Sequence, residues 1–418
     1  MSSHVLPMEI VSQDTTKMPG ARVEQESSKL SCFDSLRPTE QNVNENLLRA
    51  TEKVYTMLLK VMKLFGVYFG DANFDRFSRD TSKSIFSKKQ TYASNLYCYS
   101  LVAGLWFAFA IPLVCMFYKG PIYLLLQFDM WCLLVALNGT VCMVVLPLTD
   151  RTKSRFEKFV SNLCLIQTGS VHLRKVRYKT RCYLIISGLF MVAGIAGIAV
   201  LDQVLFMNAG TFNPWNVWHG FRKINLLFLF IGNAFWLLPM IFYCITCLIL
   251  EELFDDLNTR NLSLDLSALR VEHYKLCKVV ELADSLFSPL LLTVFGLCIP
   301  FICFALYHIV HLPENEALAF LAVNLFWLLS TSAMLAVVMV FGSRVSDKVH
   351  CIQKLKSTFP FSTSDHKEIL LFMMYMMDLQ GKTKGLSIGG LTVISKSLSL
   401  TVVSVIISYF AVMLSLPS

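Results

Sequence analysis

Residues 96–118 (LYCYSLVAGLWFAFAIPLVCMFY) and residues 121–148 (PIYLLLQFDMWCLLVALNGTVCMVVLPL) are two long apolar runs separated only by Lys119 and Gly120. An α-helix needs about 20 apolar residues to cross the hydrocarbon core of a bilayer, which is about 30 Å thick. Each run reaches that length, and the connection is too short to hold a soluble domain. This pair of runs therefore predicts a membrane protein built from helices.

Five further runs have the same length and polarity. The seven predicted spans are 96–118, 121–148, 182–206, 224–250, 289–311, 317–342 and 390–413. A transmembrane β-barrel would instead show segments of about ten residues with alternating polarity, and none occurs in this sequence. The predicted fold class is all-α: a polytopic membrane protein with a seven-helix transmembrane domain over residues 95–413.

The composition of the whole chain agrees with this fold class. Hydrophobic residues make up 55% of the 418 residues and charged residues 16%, against about 45–50% and about 25% in soluble proteins. Such a composition excludes a wholly disordered chain, a collagen-like chain and a disulfide scaffold.

The segments outside the spans are predicted to lie mainly in the cytosol. Residues 1–45 are polar and lack the apolar core of a signal peptide, so a disordered tail is predicted. Residues 46–94 are predicted to contain an amphipathic helix, either interfacial or packed on the protein. Loops 251–288 and 343–389 carry helical apolar patterns, and the apolar residues 369–377 are predicted to be buried in an inner domain that joins subunits.

Lysine and arginine residues are divided unevenly between the two sides of the predicted bundle. Loops 149–181, 251–288 and 343–389 hold 20 of them, whereas the loops on the opposite side hold three. Loops rich in positive charge stay in the cytosol, so the N-terminus is predicted to be cytoplasmic and the C-terminus extracellular, in a multi-pass protein of the plasma membrane. This topology also explains the net charge of +8, and no nucleic-acid partner is predicted.

Sequence signatures of enzymes and metal sites are absent. There is no P-loop, GxGxxG, HExxH or GxSxG sequence, and the histidines are scattered. Cys244 and Cys247 have the spacing of a redox or metal pair, but they lie in an apolar helix without partner ligands, so packing is favoured. The chain is predicted to have no catalytic residues, no metal site and no cofactor.

The last span carries a row of hydroxyl side chains. Residues spaced +4, +3 and +4 share one helical face, and small polar residues on such a face either pack helices together in membranes or line a water-filled pore. Lys396 is predicted to lie about two turns inside this span and to reach the cytosolic surface with its side chain. The members of the row are Ser397, Thr401, Ser404, Ser408 and, two turns further on, Ser415.

Polar and aromatic side chains also gather in the predicted outer halves of the other spans. An ionisable residue in a span, here Asp129, is a functional-site hypothesis by default. Aromatic walls with a few polar groups suit a small organic ligand, although the same aromatic residues could face lipid or pack in the core. The predicted ligand-binding residues are Gln127, Asp129, Trp131, Asn233, Trp236, Phe304, Tyr307, Asn324 and Trp327.

Three stretches resemble the invertebrate gustatory receptor family, whose members are related to insect odorant receptors. Residues 64–66 (LFG) are similar to a motif before the family's first span, and residues 269–287 resemble its long inner helix. At the end of the chain, residues 408–416 (SYFAVMLSL) stand where the family has Thr-Tyr, five apolar residues and Gln-Phe. Their order, together with the inverted topology, identifies the chain as a divergent member.

The resemblance implies a taste-type receptor that acts as a ligand-gated, non-selective cation channel. Its subunits, identical or related, form a tetramer in the bilayer and bind a small molecule such as a tastant. The resemblance also favours the pore interpretation of the hydroxyl row and adds Leu416 to its outer end. Two alternatives stay open: a metabotropic G-protein-coupled receptor, and a non-conducting relative of the same fold, including a light-sensing type.

Overall fold

The computed structural model describes only part of the chain, and all of that part belongs to one unit, Asn44–Ser418. The predictions for residues 1–45 and for Leu416 lie outside the described residues. The described residues are 55–67, 85–118, 122–145, 149–150, 153–164, 166, 170–207, 219–260, 266–310, 318–351, 369–370, 373–374, 377 and 384–415.

Helices dominate these described ranges, with two short antiparallel strand pairs between them. The helices are α1 (residues 55–64), α2 (Ile85–Tyr118), α3 (Ile122–Val145), α4 (Arg155–Cys164), α5 (Ser170–Met207), α6 (His219–Arg260), α7 (Leu266–Val310), α8 (Leu318–Cys351) and α9 (Lys396–Leu414). The strands are β1 (Thr149–Asp150) paired with β2 (Lys153–Ser154), and β3 (Ser387–Ile388) paired with β4 (Thr392–Val393).

Each of the seven predicted spans coincides with one helix: α2, α3 and α5 to α9. Over their described residues, α5 to α8 contain stretches long and apolar enough to cross a membrane, namely Tyr178–Gly197, Phe230–Thr259, Ser267–Val310 and Asn324–Cys351. The corresponding apolar stretches of α2, α3 and α9 are shorter, namely Asn95–Ala110, Asp129–Cys142 and Lys396–Val412.

Helix α6 is the centre of the bundle. Every side chain from 231 to 250 is buried, because α6 contacts α2, α3, α5, α7 and α8. A span enclosed by other helices on all sides has an apolar surface around its whole circumference. The apolar sequence of α6 therefore reflects contact with protein over this range, and not contact with lipid.

The predicted inner loop 251–288 is built from extensions of two long helices. Helix α6 continues to Arg260 and α7 begins at Leu266. The 45 residues of α7 make a helix of about 68 Å, more than twice the thickness of the hydrocarbon core. The spanning helices themselves thus carry the fold beyond the membrane at this end.

Charged side chains mark the end of α6 that follows its predicted span. Glu252 forms a 2.9 Å ion pair with Lys179 of α5, and Asp255 forms an ion pair with Lys348 of α8. These ion pairs connect the extensions of α5, α6 and α8.

The amphipathic helix α1 packs on α6. Its buried face includes Tyr55, Leu58 and Met62, and the Tyr55 hydroxyl lies 3.1 Å from the Thr246 hydroxyl of α6. Lys60 points away and is exposed. Of the two arrangements that the sequence left open, the described residues therefore adopt the packed one.

The predicted start of the last span is corrected by the structure. Residues 387–393 form the β3–β4 hairpin, in which Gly389 and Gly390 have φ of +61° and +74°. Only glycine adopts this left-handed conformation without strain, so the chain turns here. Helix α9 starts at Lys396, which is consequently its first residue and forms a 2.8 Å ion pair with Asp347 of α8.

The predicted burial of residues 369–377 in an inner domain that joins subunits stays a prediction, because it involves more than one copy of the chain. Ile369 is partly buried, whereas four other described apolar side chains of this stretch are exposed. They are Leu370, Met373, Met374 and Met377.

Candidate ligand pocket and candidate pore helix

A cavity opens between α3, α5, α6, α7 and α8. The empty space between these helices, with the open solvent at its mouth included, measures about 490 Å³. The described residues that line it are Trp131, Phe190, Gly194, Asn233, Trp236, Leu237, Phe301, Phe326, Trp327, Ser330 and Thr331.

Trp327 of α8 joins three helices in the wall of this cavity. Its ring stacks on Trp131 of α3 with centroids 6.4 Å apart and planes 9° from parallel. It also contacts Phe301 of α7 at a centroid distance of 6.4 Å and an angle of 47°. Offset and tilted ring pairs of this kind are attractive beyond their apolar burial, so the wall is held in a defined geometry.

Two glycines allow the close helix contacts that shape the cavity. A Cβ atom at Gly232 of α6 would lie 3.0 Å from Cη2 of Trp131. One at Gly194 of α5 would lie 3.2 Å from Oδ1 of Asn233. Because both distances are tighter than ordinary contact, any larger residue would displace Trp131 or Asn233.

The polar groups in the wall are neutral. Asn233 and Thr331 are buried, and the Ser330 hydroxyl donates a 3.0 Å hydrogen bond to the carbonyl of Trp327. The Ser330 oxygen keeps a lone pair with which it can accept a hydrogen bond. Among the described lining residues, none has a charged side chain. The cavity therefore suits a neutral, partly aromatic molecule with one or two hydrogen-bonding groups.

Four predicted ligand-binding residues line this cavity: Trp131, Asn233, Trp236 and Trp327. The side chain of Gln127 lies outside what the structure describes. The remaining four predicted residues, which are not among the described residues lining the cavity, are Asp129, Phe304, Tyr307 and Asn324.

Asp129 lies on a different side of α3 from Trp131. It precedes Thr140 by 11 residues, or about three turns, and the Thr140 hydroxyl accepts a 2.9 Å hydrogen bond from the Trp106 indole of α2. Asp129 is therefore on the α2 side of the helix, whereas Trp131 is about 200° further round. Asp129 is only 4% exposed, and its Oδ1 has no hydrogen-bond partner among the described residues.

The sequence prediction missed several residues of the wall. Ser330 and Thr331 follow Trp327 by three and four positions, so helical spacing from a predicted residue would have found them. Phe190 and Gly194 share a face of α5, the span from which the sequence prediction took no ligand-binding residue. Leu237 and Phe301 were missed as well.

Helix α9 packs on its own chain through an apolar face and exposes the hydroxyl row. Val402 is buried, and Leu398 and Ile406 pack against the same core, while α9 contacts α7 and α8. Every member of the row is exposed: Ser397, Thr401, Ser404, Ser408 and Ser415. The row therefore does not pack on other described helices of the same chain, while packing on another molecule and lining a pore both stay predictions.

Two central hydroxyls of this row donate within the helix. Thr401 donates to the carbonyl of Ser397 at 3.2 Å, and Ser408 donates to that of Ser404 at 2.9 Å. The hydroxyl oxygens keep acceptor capacity toward the outside. The exposed surface of α9 also has an apolar stripe, formed by Leu400, Val403 and Ile407, so two different environments are expected around this helix.

Helices α7 and α8 connect the cavity with the base of α9. On α7, Phe301 lines the cavity, and Ser288, about 20 Å further along the helix, accepts a 3.0 Å hydrogen bond from the backbone of Gly389. On α8, Thr331 lines the cavity and Asp347 pairs with Lys396. A displacement of either helix at the cavity would thus reach the start of α9.

The sequence matches the family model described as "7tm Chemosensory receptor" over residues 56–414. The chain belongs to the 7tm chemosensory receptor family. A comparison with curated protein sequences gave no match.

The fold of this chemosensory receptor is similar to that of solved insect olfactory receptors. OR5 from Machilis hrabei has a TM-score of 0.67 and 10% sequence identity, and the similarity covers 88% of this chain and 99% of that chain. OR5 in complex with eugenol has a TM-score of 0.68 and 11% identity, with 88% and 98% covered. At such low sequence identity, the similarity shows a shared fold and nothing further.

These comparisons confirm two predictions. The resemblance to insect-type chemoreceptors holds at the level of the family, and the all-α, seven-helix fold of a multi-pass membrane protein holds as well. The family and the fold are those of receptors and not of known enzymes. Taste specificity, orientation in the membrane and the individual site residues stay predictions.

Proposed function

We propose that this chemosensory receptor is a subunit of a ligand-gated, non-selective cation channel. The observation that carries the proposal is the double role of α7 and α8, which line the cavity and also hold the start of α9. A ligand that binds more tightly to one arrangement of these helices shifts the population toward it. Ligand binding in the cavity would in this way move the helix proposed to line the pore.

The proposed ligand is a small neutral organic molecule, a tastant in keeping with the gustatory resemblance. Trp131, Trp236 and Trp327 offer ring surfaces, while Asn233 offers an amide. Apolar walls with a few placed polar groups are typical of such sites. A solved complex of OR5 contains eugenol, which is itself a small organic molecule. Asp129, Phe304, Tyr307, Asn324 and Gln127 stay in the proposal as residues outside the described wall.

The proposed pore lies between subunits, identical or related, arranged as a tetramer around one axis. The exposed hydroxyl row of α9 supports this arrangement, because an outward row can face only another molecule, lipid or water. Exposed apolar side chains in the stretch 369–377 supply a second surface that assembly would cover. We propose that copies of this stretch meet in the cytosol.

Whole-cell recording tests the proposed function. Cells that express the chain at their surface should respond to at least one member of a panel of small aromatic and tastant molecules with a cation current. The current should persist when G-protein signalling is blocked, because the chain itself conducts. A response that disappears with this block would contradict the proposal in favour of a metabotropic receptor, and a response to light alone would contradict the proposed ligand.

We also propose that the protein lies in the plasma membrane with a cytoplasmic N-terminus. The support is the excess of lysine and arginine in the loops 149–181, 251–288 and 343–389. An epitope after Ser418 should bind antibody on intact cells, whereas an epitope before Met1 should need permeabilised cells. The opposite labelling of the two tags would refute this orientation.

A further inference from the structure

We propose that Asp284 is a positioning residue that holds the β3–β4 hairpin on α7 and thereby limits the opening of the channel at rest. The proposal rests on the proposed channel function. Asp284 is part of α7 but lies outside the cavity, and the hairpin immediately precedes α9. The position of the hairpin therefore determines where the proposed pore helix begins.

The Asp284 carboxylate forms hydrogen bonds with a single residue of the hairpin, Ser387. Its Oδ1 accepts hydrogen bonds from the backbone N–H of Ser387 at 2.6 Å and from the Ser387 hydroxyl at 2.8 Å. Its Oδ2 lies 3.0 Å from the same hydroxyl. Hydrogen bonds to an ionised acceptor are roughly twice as strong as neutral ones. Replacing Asp284 by asparagine would therefore weaken these hydrogen bonds while keeping a side chain of nearly the same shape.

Ser288, one turn further along α7, extends the contact. Its hydroxyl lies 3.2 Å from the Ser387 hydroxyl, and its carbonyl accepts the backbone N–H of Gly389. Gly389 needs its positive φ to make this turn, and a Cβ atom there would lie 3.0 Å from the side chain of Leu292. The hairpin thus lies directly against α7 over two turns of the helix.

One backbone hydrogen bond of α7 is missing where the helix holds the hairpin. Pro289 lies inside the helix and has no N–H, so it cannot donate to the carbonyl of Ser285. Arg155 of α4 donates to that carbonyl instead, at a distance of 3.2 Å. Helices bend most readily at such prolines. The Asp284 contact therefore lies beside the point at which the two parts of α7 can change their angle.

The start of α9 is consequently fixed from two sides, by Asp284 of α7 through the hairpin and by Asp347 of α8 through Lys396. Lys396 and Asp347 are both largely exposed, and exposed ion pairs contribute little. Ser387 is buried, so its contact with Asp284 is the firmer of the two. A receptor channel conducts little without its stimulus, and a contact that restricts α9 to fewer positions keeps the resting conductance low.

Disulfide cross-linking tests whether Asp284 holds the hairpin. The pair Ser288→Cys and Ser387→Cys replaces two neighbouring hydroxyls by thiols and keeps the Ser387 N–H that donates to Asp284. In membranes treated with a mild oxidant, mass spectrometry should detect the cross-linked peptides. Adding Asp284→Asn should slow cross-linking threefold or more, whereas Glu281→Gln, an exposed position one turn away on α7, should leave the rate unchanged. Equal rates in the two backgrounds would overturn the proposal.

Current without any added ligand tests the effect on opening. Asp284→Asn should raise the resting current per surface channel threefold or more. Asp284→Glu, which keeps the negative charge, should give a resting current between those of the wild type and Asp284→Asn. Oxidation of the Ser288→Cys and Ser387→Cys pair should lower the resting current, and a reductant should reverse the change on the same cell. The single variant Ser288→Cys, which cannot form this disulfide, controls for effects of oxidant on the native cysteines.

The two measurements separate the possible failures. A cross-linking rate that falls in Asp284→Asn while the resting current of a conducting channel stays unchanged would overturn the role in opening. Absence of current in every variant, with the wild type included and ligands applied, would overturn the proposed channel function. The cross-linking rate would then still decide whether Asp284 holds the hairpin.

Discussion

Cysteine at Thr401 or Ser408 is expected to make the channel sensitive to a water-soluble thiol reagent. Both side chains belong to the exposed hydroxyl row of α9, and in the proposed tetramer this row faces the central axis. A thiol must ionise before it reacts, which requires a hydrated surface. A charged adduct at either position should remove most of the ligand-evoked current, recorded before and after exposure to the reagent.

Val403→Cys is the matched control for this experiment. Val403 is 49% exposed in the single chain, yet it lies about 200° round the helix from Thr401, on the apolar stripe. Cysteine at Val403 should react roughly tenfold more slowly than cysteine at Thr401, since water is scarce there. The wild type treated with the reagent reports any contribution from native cysteines. Similar rates at Val403 and Thr401 would remove α9 from the pore.

Trp327→Ala is expected to reduce ligand sensitivity more than any other single change in the cavity. The substitution removes the ring that stacks on Trp131 and contacts Phe301. A loss of about 1.4 kcal/mol of binding energy corresponds to a tenfold higher ligand concentration, and we expect at least that shift. The measurement is the concentration that evokes half of the maximal current, with the aromatic compound to which the wild type responds best.

Two further variants make the result at Trp327 interpretable. Removing a buried tryptophan costs about 3–5 kcal/mol of stability, so surface expression must be measured in parallel. Trp327→Phe keeps an aromatic ring and should produce a smaller shift. Trp106→Phe alters a tryptophan of α2 whose indole bonds to Thr140 and which is not among the described residues of the wall. A shift in Trp106→Phe as large as that in Trp327→Ala would place the ligand elsewhere.

The number and order of the membrane helices could be predicted from sequence because the bilayer imposes a length on each apolar run. The boundaries were harder to predict, since apolar residues continue beyond the helices they belong to. Residues 390–395 read as part of the last span, but the positive φ of Gly389 and Gly390 turns the chain into a hairpin. Sequence hydropathy carries no signal for that turn.

The candidate pocket was predictable only in part. The tryptophans at 131, 236 and 327, which the sequence analysis grouped as candidate ligand-binding residues, line one cavity, and their role in ligand binding stays a prediction. Asp129 was grouped with Trp131 by its position in the sequence, although the two lie on different sides of α3. Which face of a membrane helix points toward protein depends on neighbouring helices, and one sequence does not reveal these.

The location of α6 shows the same limit. Its apolar sequence resembles that of the other spans, yet residues 231–250 are buried by five surrounding helices. Lipid and protein interiors are similarly apolar, so composition does not distinguish a central helix from a peripheral one. The length of the apolar runs was informative about crossing the membrane, but it was uninformative about how the helices are arranged around the bundle.

Recording from the purified chain in a planar lipid bilayer tests the central claim most directly. The protein, reconstituted without any other polypeptide, should give discrete cation-selective current steps whose frequency rises when a small aromatic ligand is added. The same steps should disappear when the Thr401→Cys protein is treated with the thiol reagent. Absence of steps from folded, tetrameric protein that binds the ligand would contradict the account, because the chain would then be a receptor that does not itself conduct.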